Sequence, residues 1–336
     1  MLKSLIKKLI EGKNLSTREV SDVIEFIAEG NAMPSQIGSF LTALSIKGES
    51  VEEITGLALK MRELAVKINI EGISEIIDSC GTGGDGANTF NISTASAIVA
   101  ASGGICVGKH SNFGFSSKCG SSNVIEALGI KLAETPEKVT EEIERHGISF
   151  IHAPYFHKCT SYVNDVRKEI GIRTVFNYLG PLTNPLYPSG QVLGVSRPDL
   201  APNMAKVLKN LGCKRAMVVN ATDPNLDEIS ICGKTIIHKL ENNNIESMEI
   251  SPEDFGIERA EIKDICGGDP HYNAKLIENI FKGEITDSRL DIVLLNSAAL
   301  FWAGNKTTSL EEGIKMAKIL VENGKVYNKL LELRYC

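Results

Sequence analysis

The stretch Asp78-Ser79-Cys80-Gly81-Thr82-Gly83-Gly84-Asp85-Gly86-Ala87-Asn88-Thr89-Phe90-Asn91-Ile92-Ser93-Thr94 constrains this chain more than any other. An apolar run, Ile73 to Ile77, leads into it and reads as a strand. An Ala/Ile/Val-rich run, Ala95 to Ala101, leaves it and reads as a buried helix. The glycines therefore fall in a strand-to-helix turn. Glycine admits φ > 0 and lets N–H groups approach a ligand with no Cβ in the way. The start of a helix adds unpaired donors and partial positive charge, a combination suited to phosphate. Ser93 and Thr94 put two hydroxyls at that end.

Several readings compete for the loop. Gly81-Thr82-Gly83-Gly84-Asp85-Gly86 fits the dinucleotide pattern G-x-G-x-x-G, but that reading needs an acid roughly 20 residues on, after the next strand. The next candidate strand, Gly104 to Val107, leads instead into Lys109-His110. A G-x-x-x-x-G-K-[ST] phosphate loop fails because no lysine follows the last glycine. A third reading is a phosphate and ribose cradle that also holds a cation. Asp85 favours it, since a carboxylate facing bare pyrophosphate would repel it, whereas one facing a divalent ion or sugar hydroxyls would not. A glycine-rich turn with no ligand is the bland alternative, and the density of polar residues weighs against it.

Two further clusters carry chemistry. Lys109 and His110 stand near Ser116, Ser117, Lys118, Gly120 and Ser121, where hydroxyls, backbone N–H groups and point charges make a second anion cradle or, more plainly, a solvated polar loop. Asp227 and Glu228 are adjacent acids after the apolar run Ala216 to Val219. Such a pair suits Mg²⁺, which keeps much of its hydration, though acid pairs are also common on surfaces. Arg167, in Asp165-Val166-Arg167-Lys168-Glu169, reads on spacing alone as part of a mixed-charge helix face.

Gly81-Thr82-Gly83-Gly84-Asp85 followed by Thr89-Phe90-Asn91-Ile92-Ser93-Thr94 resembles the signature loop of anthranilate phosphoribosyltransferases. Lys109-His110-Ser111-Asn112-Phe113, Gly120-Ser121-Ser122-Asn123 and Glu126-Ala127-Leu128-Gly129 resemble that family's second motif, and Asp227-Glu228 its acidic pair. The resemblance spans nearly the whole chain. It departs at Ser111, Phe113 and Asn123, where the family usually has Gly, Arg and Asp. It implies an α/β fold of the nucleoside-phosphorylase-like phosphoribosyltransferase type, with a small N-terminal helical domain and a larger α/β domain around a mostly parallel sheet. It implies transfer of the phosphoribosyl group of 5-phosphoribosyl 1-pyrophosphate (PRPP) to the amino group of anthranilate, with Mg²⁺ as cofactor. By the same resemblance Gly81, Gly84, Asp85, Thr89, Asn91, Ile92, Ser93, Thr94, Lys109, Ser116, Ser117 and Ser121 bind PRPP. Gly81, His110, Asn112 and Arg167 bind anthranilate, and Ser93, Asp227 and Glu228 hold the metal. No residue is assigned acid–base work: an aromatic amine is neutral at pH 7, so Lys109 and His110 position rather than catalyse. Phe113 and Ser111 keep open another aromatic acceptor or a nucleoside-phosphorylase-like activity. A non-enzymatic binding module fits the intact loop and acid pair least.

The rest of the chain sets the frame. Residues 1–68 show four amphipathic helical stripes, with capping-box pairs Ser16/Glu19 and Ser50/Glu53. They carry no clustered titratable chemistry and read as a packed helical unit or dimer surface. By resemblance this part supports a homodimer, and the helical segment 157–180 is expected to join it in the helical domain. Lys67 to Gly72 reads as a linker. In the larger domain, 73–336, strands alternate with helices from Ile73, with strands expected at Ile73–Ile77, Gly104–Val107, Ile148–His152, Gln191–Val195, Ala216–Asn220 and Thr235–Lys239, and helices at Pro136–His146 and His157–Ile170, while the part from about Pro270 reads as mainly helical. Ligands of such sheets sit at the carboxyl ends of the strands. With 36 basic against 42 acidic residues, a net charge of −6, nucleic acid is not an expected partner, and positive charge for anionic substrates must be local. Eight cysteines without C-x-x-C spacing, no signal peptide and no membrane-length apolar run lead to the expectation of a cytoplasmic enzyme with small-molecule substrates and no membrane partner.

Overall fold

The structure, a computed structural model, describes residues 1–114, 119–157 and 160–335. Helices α1 (Leu2–Ile10), α2 (Thr17–Ala28), α3 (Pro34–Lys47) and α4 (Val51–Leu64) form the N-terminal unit. Both expected capping boxes close: Ser16 accepts from Glu19 N–H and Ser50 from Glu53 N–H, and each glutamate reaches back to its cap backbone.

From residue 77 the chain runs β1 (Ile77–Gly81), α5 (Ile92–Ser102), β2 (Val107–Ser111), α6 (Ser121–Ala127), α7 (Pro136–His146), β3 (Ile148–His152), α8 (Ala153–Phe156), α9 (Ser161–Ile170), α10 (Phe176–Leu179), β4 (Gly190–Gly194), α11 (Ala201–Asn210), β5 (Arg215–Thr222), β6 (Asn225–Leu226), β7 (Thr235–Glu241) and β8 (Asn244–Ile250). It ends in α12 (Pro270–Phe281), α13 (Ser288–Ala303), α14 (Leu310–Glu322) and α15 (Lys325–Arg334). The sheet order is β3-β2-β1-β4-β5-β7-β8, with β6 paired to β5. Strands β3, β2, β1, β4 and β5 are parallel, while β6, β7 and β8 add on antiparallel. This is the expected small helical domain plus larger α/β domain.

Alternate residues of the inner strands feed two cores. Leu193, Val195, Ala216 and Val218 join α1–α4 and α9–α11 on one face. Val192, Met217 and Val219 join α5 and α12–α15 on the other. Helix α9 packs on α3, with Val166 and Ile170 against Gly38, so the segment after β3 does return to the N-terminal helices.

Several expected boundaries shift. The first strand is Ile77–Gly81 rather than Ile73–Ile77, and the second is Val107–Ser111 rather than Gly104–Val107. Lys109 and His110 therefore lie inside β2 rather than past it. Asp227-Glu228 follow the short β6, not β5 directly. The helix expected over His157–Ile170 begins at Ser161, and the one expected from Ala95 begins at Ile92. Among the described residues no helix is long and apolar enough to cross a membrane.

Candidate functional site

The parallel strands β1 and β4 end side by side, Gly81 opposite Gly194, and the Asp227 turn lies across both ends. A side chain at Gly81 would overlap the Asp227 carboxylate, and one at Gly194 would overlap the Asp227 backbone carbonyl. Beyond β1 the loop turns through Gly83, Gly84 and Gly86 at φ of +66°, +77° and +80°. Gly83 N–H donates to Asp227 Oδ2 at 2.7 Å, and Ser93 N–H, in the first turn of α5, donates to Glu228 Oε1 at 3.2 Å. Asp85 accepts from Ala87 N–H (3.1 Å) and from Asp227 N–H (3.4 Å). Thr89 pairs with Cys266 in an isolated bridge. The Asn91 side chain accepts from Asn273 Nδ2 (3.0 Å) and donates to the Cys119 carbonyl (3.4 Å), so it does not cap α5. Ile92 points into the core and its N–H donates to the Phe90 carbonyl at 2.8 Å. Thr94 is fully buried, its hydroxyl without a partner among the described residues.

Lys109 lies beneath this loop, 1% exposed, and Nζ donates to the Ser79 carbonyl and to Ser93 Oγ (3.3 Å). Lys109 itself, expected in a polar loop past the strand, is therefore a buried side chain under the helix start. Burial, and then the Asp85 charge, raises the proton affinity of Asp227; burial, and then Asp227, raises that of Glu228, with Lys109 opposing. Asp78, fully buried, accepts from Ser79 N–H (2.7 Å), His110 N–H (3.1 Å) and Asn184 Nδ2 (2.9 Å), tying β1, β2 and the 180–184 turn together. Among the described residues no three side chains form a finished metal cage. Yet clustered, desolvated carboxylates with raised proton affinity are relieved by a nearby cation, and Mg²⁺ takes few protein ligands, so these residues fit a hard divalent ion.

His110 Nδ1 lies 2.9 Å from the Gly180 carbonyl, which can only accept; this assigns the hydrogen to Nδ1 and leaves Nε2 an acceptor. Nε2 is buried without a partner among the described residues, and burial lowers the imidazole pKa to about 4. His157 stands edge-on to it, ring centroids 5.2 Å apart, with burial lowering its pKa to about 3. Asn112 is fixed by its backbone: its N–H donates to Ser121 Oγ (3.2 Å), and its carbonyl accepts from Ser121 Oγ (3.3 Å) and Ser122 N–H (3.0 Å). Arg167, on α9, carries its guanidinium over the Phe176 ring at 5.7 Å. Ser116, Ser117 and Lys118 lie outside the described residues. The structure thus joins Asp85, Ser93, Lys109, Asp227 and Glu228 directly, and sets His110, Asn112 and Arg167 on separate elements.

The three departures have different standing. Ser111 is buried in β2, donating to the Ile151 carbonyl (3.2 Å) and accepting from Ser122 Oγ (3.2 Å). Asn123 Oδ1 accepts from Gly114 N–H (3.1 Å) and Gly120 N–H (3.0 Å), as an aspartate oxygen would. Phe113 alone faces outward, 44% exposed, edge-on to His152 at 4.5 Å. Sequence reasoning missed Asp78, Asn184 and Arg173, whose bonds to distant backbone follow no local motif.

Residues 73–327 match the family model for the α/β domain of the glycosyl transferase family, and residues 3–65 match that for its helical bundle domain. The chain is 52% identical to an anthranilate phosphoribosyltransferase of Acetivibrio thermocellus over 99% of this chain and 95% of the relative. Its fold matches the crystal structure of that enzyme from Thermus thermophilus with a TM-score of 0.92 and 38% identity, covering 98% of each chain. It matches the Saccharomyces cerevisiae enzyme in complex with PRPP and Mg with a TM-score of 0.89 and 29% identity, covering 99% of this chain and 96% of that one.

Proposed function

This chain belongs to the anthranilate phosphoribosyltransferases, which transfer the phosphoribosyl group of PRPP to anthranilate in tryptophan biosynthesis, and we propose that it does so with the residues gathered at the ends of β1, β2 and β4. One observation carries the assignment of residues: Gly83 and Ser93 N–H groups face the Asp227 and Glu228 carboxylates, with the Lys109 ammonium beneath. Backbone donors beside a buried cation form a receptor for a pyrophosphate.

In this reading the glycine loop from Gly81 to Thr94, with Asp85, Thr89, Asn91 and Ser93, and the segment from Lys109 to Ser121 hold the phosphate ends and ribose of the donor. The arriving anion takes over donors that now serve Asp227 and Glu228. Those two acids, with the Ser93 hydroxyl, would hold Mg²⁺, which when bound offsets charge developing on departing pyrophosphate. Arg167 offers a planar fork to the anthranilate carboxylate. Asn112 and the free Nε2 acceptor of His110 orient the amine, which needs no prior deprotonation. Catalysis is then positioning in a preset field. Orientation can supply about 7–11 kcal/mol, whereas general acid–base help is typically about 10²–10⁴-fold.

The same reading divides the chain into 1–68, joined by 157–180, and 73–336, supported by the packing of α9 on α3. It makes the protein a cytoplasmic homodimer joined through the helical unit, whose exposed Ile10, Met33 and Ile46 support an apolar contact. Sedimentation at micromolar concentration tests the dimer: a monomer there removes it. Loss of anthranilate fluorescence on mixing protein, PRPP and Mg²⁺ tests the reaction. Unchanged fluorescence while PRPP binds in calorimetry would point to another aromatic acceptor, for which exposed Phe113 is the motive.

A further inference from the structure

We propose that Arg173 is a positioning residue for the donor loop, holding two successive peptide groups so that their N–H groups face the incoming phosphate. The proposal rests on the reading of that loop as the donor site. Arg173 Nη1 donates to the Gly84 carbonyl at 3.1 Å, and Nη2 donates to the Gly83 carbonyl at 3.2 Å and to Ser196 Oγ at 3.3 Å. Ser196 Oγ donates to the same Gly83 carbonyl at 2.8 Å. A trans peptide is planar, with its N–H pointing opposite to its C=O. Drawing the carbonyls of Gly83 and Gly84 towards Arg173 therefore aims the N–H groups of Gly84 and Asp85 the other way. Neither of those N–H groups takes part in a hydrogen bond among the described residues. They are adjacent, unpaired donors on a loop whose neighbouring Gly83 N–H already holds a carboxylate.

Without such a clamp the direction would be undetermined. Gly83 and Gly84 both have φ > 0, and glycine crosses between mirror conformations at little cost. Gly84 is fitted to the clamp as well: a Cβ there would overlap Arg173 Nη1. The arginine is itself anchored. Its carbonyl accepts from Ser45 Oγ of α3 at 3.2 Å, and it follows the left-handed Gly171 that closes α9. It lies six positions after Arg167, so one segment carries both the acceptor's arginine and the donor loop's clamp. A lysine could not replace it, because a point charge does not span two carbonyls as a planar fork does.

The test compares wild type with Arg173→Gln, Arg173→Lys and Gly84→Ala. PRPP with Mg²⁺ is titrated calorimetrically without anthranilate, and Gly84 and Asp85 amides are followed by NMR with pyrophosphate. Loss of charge-assisted bonds predicts PRPP affinity weaker by roughly tenfold or more in Arg173→Gln. Arg173→Lys should stay close to the glutamine variant, and Gly84→Ala combined with Arg173→Gln should be no worse than either alone. The KM for anthranilate should stay within roughly twofold. Wild-type affinity in Arg173→Gln, or full rescue by lysine, overturns the proposal while leaving the donor site standing. Wild-type PRPP binding that leaves both amides unmoved overturns the donor-loop reading and this proposal with it. The lysine variant keeps charge and stem, so loss of fold in the glutamine variant does not remove the test.

Discussion

Gly83 and Ser93 donate to carboxylates with the same N–H groups that the proposed reading gives to a phosphate. The competition has a consequence. An anionic donor can take those N–H groups only by displacing Asp227 and Glu228, whose exposed charge is then best met by a cation. Donor and Mg²⁺ should therefore bind with positive coupling, each raising the other's affinity by the same factor. Asp227→Asn with Glu228→Gln should remove that coupling. Several kcal/mol of charge stabilisation would go with it, on the order of 10³-fold in turnover at saturating Mg²⁺. Wild-type turnover in the double variant would refute the metal role. Arg167→Ala should raise the anthranilate KM roughly 10–100-fold, the loss of a charged hydrogen-bond pair, and leave the PRPP KM near its starting value. Steady-state kinetics with each substrate varied decides it, since equal change in both constants would take Arg167 out of the acceptor site. Arg167 could be named only by resemblance, because on spacing it was one charge on a mixed face. Arg173 had no signal at all, because what it grips is a loop nearly ninety residues away.

At the scale of elements, the fully buried Glu53 carboxylate ties the helical unit together. It accepts from Leu15 N–H (2.9 Å), Ser50 N–H (2.7 Å) and Lys47 Nζ (2.8 Å), so it links the start of α4, the entry to α2 and the end of α3. Removing one partner of a buried pair leaves an uncompensated charge, so Glu53→Ala should cost about 3–5 kcal/mol in denaturant unfolding. PRPP affinity of the folded fraction should not change, and a loss under about 1 kcal/mol, the value of an exposed pair, would show the carboxylate to be solvated. These helices were legible because capping boxes and apolar stripes are local signals. The strands were less so. Ile77-Asp78-Ser79-Cys80-Gly81 and Val107-Gly108-Lys109-His110-Ser111 have weak β-propensity and become strands through parallel pairing between buried neighbours. The β7–β8 hairpin was missed although Asn242-Asn243, at φ +52° and +60°, is a recognisable two-residue turn. Strand β8 is an edge strand with mostly exposed residues, so it lacks the apolar run that marked the others.

Across the whole molecule, the 180–184 turn is where helical unit, sheet and site meet. His110 Nδ1 donates to the Gly180 carbonyl, Gln191 Nε2 to that of Pro181 (2.7 Å) and Arg62 Nε, from α4, to that of Leu182 (2.7 Å). The junction buries His110 and His157 as neutral rings, and this gives stability a pH dependence with a definite sign. An unfolded histidine titrates near pH 6.5, whereas burial holds His110 at about 4 and His157 at about 3. Between those values the unfolded chain binds more protons, so stability contributed by each ring is full above about pH 6.5 and is lost as pH falls towards the folded pKa. At pH 5 the loss is about 2 kcal/mol per histidine. Asp78, Asp227 and Glu228, whose proton affinities burial raises, act in the opposite direction. The histidine contribution is therefore read as a difference between wild type and His157→Leu. His157 makes no well-formed ring hydrogen bond among the described residues and has only the Thr183 backbone as a weak polar partner, so an apolar replacement breaks little. Denaturant melts at pH 7.5 and pH 5 should show the variant gaining on wild type by about 2 kcal/mol over that interval. Parallel pH profiles would mean that His157 takes up its proton in the folded state, and that the junction between the helical unit and the sheet admits water.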